Sequence, residues 1–126
     1  MTKQVITSDK PPPAAGPFSP AVHAGGLIFL SGQIGQDPAT GKVVEGGIKP
    51  QIEQLFVNLR AVLEVAGKSF ADVVRAGVYL TSMDDFAAMN AIYARHMPSP
   101  YPARTTIAVA ALPLGAAVEI DLVVTS

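Results

Sequence analysis

The stretch Pro100–Val124, PYPARTTIAVAALPLGAAVEIDLVV, decides how the chain is read. Two apolar runs flank Pro113 and Gly115, the pattern of two strands joined by a Pro/Gly turn. Two charges interrupt it: Arg104 at the mouth of the first run and Glu119 inside the second. A core rarely takes in a charged side chain unless the charge is paired or used. Strand alternation sorts the residues into faces. In RTTIAV, Arg104, Thr106 and Ala108 share one face, and Thr105, Ile107 and Val109 take the other. In VEIDLVV, Val118, Ile120 and Leu122 point one way and Glu119, Asp121 and Val123 the opposite way. Glu119 is thereby expected on the face away from the helices, with Arg104 on a neighbouring strand of that face. The pair then has three possible uses: a salt bridge, a substrate clamp, or both.

Working outward, Val22–Gly32 (VHAGGLIFLSG) reads as a hairpin turned at Gly25-Gly26, with LIFL as a buried strand. Asp37–Gly41 (DPATG) is a turn by its Asp-Pro and its glycine. PPPAAGP at 11–17 is a stiff extended connector, because each proline fixes its own backbone and lacks a donor. Pro50–Gly67 is the clearest helix. Ile52, Leu55, Phe56, Leu59, Val62 and Leu63 form one stripe, Pro50 suits the first turn and Gly67 the stop. Val73–Leu80 follows as a strand, with Val74, Ala76, Val78 and Leu80 alternating against Arg75, Gly77 and Tyr79. A second helix, capped by Asp84 or Asp85, carries the stripe Phe86, Met89, Ile92 and Tyr93 and ends by Pro98. Hairpin, helix, strand, helix, strand, strand is an α+β layout: one domain over 1–126, with both helices packed on one face of a mixed sheet.

Composition narrows the functional classes. The chain has no cysteine, so disulfide and thiolate chemistry are excluded. Charged residues make up only 15% of it, against about 25% for an ordinary soluble domain. A small domain so short of charge is expected to bury part of its surface against copies of itself. Nine basic residues are scattered among ten acidic ones, which does not favour nucleic acid as a partner. The longest apolar run, Ile107–Val118, is broken by Pro113 and Gly115 and is too short for a bilayer. No apolar run follows Lys3 as in a secretory leader, so a soluble cytoplasmic protein is expected, with no membrane partner. The two histidines lack metal-ligand spacing, and DPATG lacks the lysine and spacing of a phosphate-binding loop.

Several segments, in order and at matching spacing, resemble the RidA/YjgF family from end to end. They are GPFSPAV at 16–22, LIFLSGQIGQDPATGKVV at 27–44, the helix with LRAVLEVAG, VRAGVYLTSMDDFAAMNAIY at 74–93, and YPARTTIAVAALPLGAAVEID at 101–121. The resemblance implies a chorismate-mutase-like fold assembled as a homotrimer, with small-molecule clefts at the subunit interfaces. It implies hydrolysis of reactive 2-imino acids, or their enamine tautomers, to 2-keto acids and ammonia. The imines would come from pyridoxal-phosphate dehydratases acting on serine or threonine, and no metal or organic cofactor is implied. By this likeness Arg104 binds the substrate carboxylate and Glu119 positions the water. The Gly32 backbone helps hold the carboxylate, and Asn90 lines the cleft.

The residue types suit that chemistry. A guanidinium grips a carboxylate through two parallel hydrogen bonds, and a tuned carboxyl shuttles protons. Phe18 stands where many members have tyrosine, so it walls the pocket without a hydroxyl. Thr106 stands where many have cysteine and brings a hydroxyl to Arg104's face. Ser31, in the SGQ segment, is read either as a pocket residue or as a strand-end hydrogen bonder. Two other functions stay open. One is a non-catalytic module that binds a keto acid or amino acid. The other is a ribonuclease or translation inhibitor, which would want a basic groove, stacking aromatics and a histidine pair.

Overall fold

A strand with no sequence signature of its own, β1 (Gln4–Ile6), opens the computed structural model, which describes residues 2–7 and 9–126. It pairs antiparallel with β2 (Ala21–Ala24), and the tight turn at Gly25 (φ 63°) returns the chain into β3 (Leu27–Gln33). Next comes helix α1 (Ile48–Val65), which starts two residues before the expected first residue, Pro50; Pro50 still falls in the first turn. It stops as Gly67 predicts. That residue takes φ 71°, and the N–H groups of Gly67 and Lys68 donate to the Glu64 and Leu63 carbonyls at 3.0 and 2.9 Å.

Strand β4 (Val73–Leu80) has the expected bounds but not the expected phase throughout. A register shift between Val73 and Arg75 buries Val73 (6% exposed) and turns Val74 outward (41%). The bulge moves one residue out of step, which simple alternation does not anticipate. Ahead of α2 (Phe86–His96), a short helical turn at Met83–Asp85 is capped by Ser82. The Ser82 side chain accepts from Asp84 N–H at 3.1 Å. Asp85, one of the two expected caps, occupies the N-cap position of α2, but its side chain makes no capping bond. Strands β5 (Ala103–Ala108) and β6 (Val118–Thr125) complete the chain.

The six strands run in the order β1-β2-β3-β6-β4-β5, and this order overturns the simplest reading of the C-terminal stretch. β5 and β6 are not partners. β6 lies antiparallel between β3 and β4, whereas β5 pairs parallel with β4 at the sheet edge. The sheet is mixed, and α1 and α2 cover one face of it, as expected for an α+β fold. Phe56, Ile52, Leu55 and Leu59 of α1 and Met89 of α2 are fully buried with Val78, Leu80, Ile120 and Leu122 of the sheet. Each such side chain contributes about 1.5–3 kcal/mol on leaving water. Of the two polar residues buried in α1, Asn58 donates to the Ile34 and Gln36 carbonyls at 3.0 and 2.8 Å. Gln51 accepts from Ala117 N–H at 2.8 Å, just before β6.

Candidate functional site

Cross-strand register fixes where the two unusual charges point. Arg104 stands opposite Ala76 and Thr106 opposite Val78, both core residues of β4, so these two side chains share the helix-covered face. Glu119 stands opposite Tyr79, on the open face with Asp121. The expected grouping of Arg104 with Thr106 and of Glu119 with Asp121 holds. The expectation that Arg104 and Glu119 share a face of one chain does not. β4 separates their strands, and they leave the sheet on opposite sides.

Around Arg104 the edge of β5 meets α2. The guanidinium carbon lies 4.7 Å from the Tyr93 ring centroid and 5.8 Å from that of Phe86. Aromatic faces hold a guanidinium by its plane and leave its N–H edge available. No carboxylate pairs with Arg104 among the described residues. Asn90, Tyr93, Ala94, Tyr101 and Pro102 complete a groove of about 360 Å³ at this edge. Buried polar atoms nearly always find a partner, yet Asn90 Oδ1, Tyr93 Oη and Thr106 Oγ1 have none. Burial pushes the Tyr93 hydroxyl's pKa up, with the Arg104 charge opposing. This half of the site therefore offers a free planar cation and polar groups still wanting partners. Tyr93 escaped the sequence reading because its spacing fits the apolar stripe; its place one turn after Asn90 was the only signal.

On the open face, the Glu119 carboxyl lies directly over Gly32. A Cβ at residue 32 would overlap Glu119 Oε2 and come within 2.8 Å of Cδ. Gly32 thus makes room for the acid. Burial, and secondarily the nearby Asp121, push the Glu119 carboxyl above its ordinary pKa. Asp121 itself accepts from Tyr79 Oη at 3.0 Å and from Gly77 N–H at 3.2 Å. A cleft of about 190 Å³ opens above Glu119, walled by Phe18, Ile34, Leu114 and the proline segment from Pro12. Ser31 stands behind this wall. Its hydroxyl donates to the Ser19 carbonyl at 2.6 Å and ties the segment to β3.

The seven residues singled out from sequence are thereby divided. Arg104, Asn90 and Thr106 belong to the helix-side edge; Glu119, Gly32 and Phe18 belong to the open-face cleft, with Ser31 supporting it. The histidines join neither group. His96 bonds Glu53 at 2.8 Å and stacks on Phe56 at 4.5 Å between centroids, and His23 lies on β2. Among the described residues no cluster suited to a metal ion occurs, and no helix is long and apolar enough to cross a membrane.

Comparison with known proteins agrees with this architecture. The family profile described as Endoribonuclease L-PSP matches residues 8–126. The chain is 46% identical to Protein DfrA of Myxococcus xanthus, covering 100% of this chain and 98% of that protein. It is 41% identical to the 2-iminobutanoate/2-iminopropanoate deaminase of Capra hircus, over 98% of this chain and 90% of the relative. The crystal structure of RidA from an Antarctic Psychrobacter superposes with a TM-score of 0.93 at 45% identity, covering 98% of this chain and 99% of that one. Matched along nearly its whole length in sequence and in fold, the chain belongs to the RidA/YjgF family.

Proposed function

We propose that the protein is a cofactor-independent imine deaminase. It hydrolyses 2-imino acids such as 2-iminobutanoate and 2-iminopropanoate, or their enamine tautomers, in clefts formed between copies of the chain in a homotrimer. The observation that carries this reading is the division of the site. A free guanidinium with unpartnered polar atoms stands on one face, and a carboxyl with raised pKa stands on the other. A neighbouring copy that brings its Arg104 edge against the Glu119 face completes one cleft. Exposed Leu27, Phe29 and Ile107, together with the low charge content, suit such an assembly. The deaminase names of relatives such as the goat protein support the chemistry.

In this reading Arg104 holds the substrate carboxylate through two hydrogen bonds and so fixes the imine carbon. Glu119, as carboxylate, takes a proton from water as the water oxygen bonds to that carbon, and passes this proton to the imine nitrogen. Glu119 then takes the hydroxyl proton of the resulting carbinolamine as the C–N bond breaks and the C=O product forms. Glu119 returns its proton to the nitrogen, which leaves as ammonia. Dehydratases that release such imines are the natural source of substrate, which places the protein in the same compartment as they are.

The test is hydrolysis of 2-iminobutanoate generated in place by a threonine dehydratase, for the wild type and Arg104→Ala. The expected result is acceleration by the wild type and at least a 100-fold loss in a variant that remains a folded trimer. Equal activity of a folded Arg104→Ala overturns the clamp. No acceleration by either protein, with keto-acid binding retained, would favour the non-catalytic binding module instead.

A further inference from the structure

Between β5 and β6 the chain turns through Pro113–Gly115, and Leu114 takes φ 56°, ψ 24°. It is the one non-glycine residue with positive φ among the described residues. This region disfavours a leucine, which lacks the short polar side chain that lets Asn or Asp adopt it. Two backbone bonds hold the turn closed, Gly115 N–H to Leu112 O at 3.3 Å and Ala116 N–H to Pro113 O at 3.1 Å. The outcome is a side chain 64% exposed, the most exposed of the large apolar ones described. A strained backbone that places an apolar side chain in water serves neither packing nor solubility, and such outliers gather at functional sites. Leu114 lies on the wall of the Glu119 cleft.

Much of that wall is apolar and stiff, with Gln33 and Gln36 as its neutral polar members. Pro12 and Pro13 have fixed backbones, and Ala14 and Ala15 add only methyl groups. The segment's far end is pinned to β3 by Ser31, through its hydroxyl to Ser19 O at 2.6 Å and its N–H to Pro20 O at 2.9 Å. Phe18 is 54% exposed at the same mouth. Among the described residues Glu119 is the only charged one lining the cleft. A volume of about 190 Å³ exceeds the needs of a methyl or ethyl group and suits a hydrocarbon chain of several carbons.

We propose that Leu114 is a specificity-determining residue: with Phe18 and the proline segment it forms a subsite for the substrate's side chain, selecting 2-imino acids whose aliphatic chains are longer than ethyl. This rests on the 2-imino acid reading above. Recognition is by burial of hydrocarbon, so affinity rises with each methylene that reaches Leu114.

The experiment is calorimetric titration of the assembled protein with 2-oxobutanoate, 2-oxopentanoate and 2-oxohexanoate, the product series, which needs no turnover. The wild type should bind about fourfold more tightly per added methylene. In Leu114→Gly the series should flatten to within about twofold. Glycine takes positive φ without steric cost, so the variant's melting temperature should be unchanged or raised, which separates lost selectivity from lost folding. Leu114→Asn, which also tolerates this backbone region but is polar, should flatten the series likewise. Binding of 2-oxobutanoate without a chain-length trend in the wild type, or a trend preserved in Leu114→Gly, overturns the subsite and leaves imine hydrolysis standing. No binding of any keto acid overturns both.

Discussion

Replacing glycine by alanine at two positions three residues apart should give opposite phenotypes. At residue 32 the new methyl meets the end of a side chain: it overlaps Glu119 Oε2 and comes 2.8 Å from Cδ and 3.0 Å from Cγ. At residue 35 it meets backbone, 2.5 Å from the Gln51 carbonyl oxygen and 2.6 Å from its Cα. Neither glycine has positive φ, so backbone strain plays no part in either case. In Gly32→Ala the Glu119 side chain swings away by about 1 Å, a displacement that costs catalysis about 100-fold, or about 2.7 kcal/mol of barrier. Folding should be nearly neutral, because alanine's smaller unfolded-state entropy, about 0.4–1 kcal/mol, offsets the rearrangement. In Gly35→Ala helix α1 cannot step aside cheaply, and overpacking should cost about 1–3 kcal/mol. At about 4 °C per kcal/mol for a chain of this size, the melting temperature should fall by about 4–12 °C. Melting curves and 2-iminobutanoate hydrolysis per folded protomer check both variants. A fully active Gly32→Ala, or one destabilised as much as Gly35→Ala, refutes the assignment of Gly32 as the space for the acid.

Two further predictions concern charge. Glu119 has a folded pKa raised by burial and by Asp121. It therefore contributes stability below its ordinary value of 4.5 that is lost as pH rises through the raised one. Glu119→Gln should thus melt higher than the wild type at pH 7 while losing hydrolysis at least about 100-fold; a lower melting temperature refutes the burial cost. Glu53 shows the opposite case, its pKa lowered by its bonds to His96 and Arg95. Its stabilisation is present above pH 4.5 and lost as pH falls through the depressed value. In melts across that acid window Glu53→Gln should decline less than the wild type, by well under about 1 kcal/mol because the pair is exposed. Identical acid limbs refute the pairing.

Much of the fold is written locally. The stripe Ile52–Leu63 with Gly67 defines α1 and its stop, the Gly25-Gly26 pair defines the β2–β3 hairpin, and the alternation along 118–123 holds residue by residue. Each depends on neighbours a few positions apart, which a linear reading can see. What escaped it depended on distant partners: the bulge that sends Val74 outward, the strand β1 held only by β2, and Tyr93 lying under Arg104. The residue types of the site were legible too, because Arg104 and Glu119 are misplaced charges in apolar strands. Their relation was not. Alternation gives each strand two faces but carries no label for which face meets the helices, and adjacency in sequence suggested that β5 and β6 pair. Only the strand order, with β6 inserted between β3 and β4 and β5 placed at the edge, put Arg104 on the helix side and Glu119 on the open side. The sequence determined which side chains share a face. The tertiary structure decided which face that was, because side-chain direction becomes absolute only when a strand's hydrogen bonds are committed to a particular neighbour.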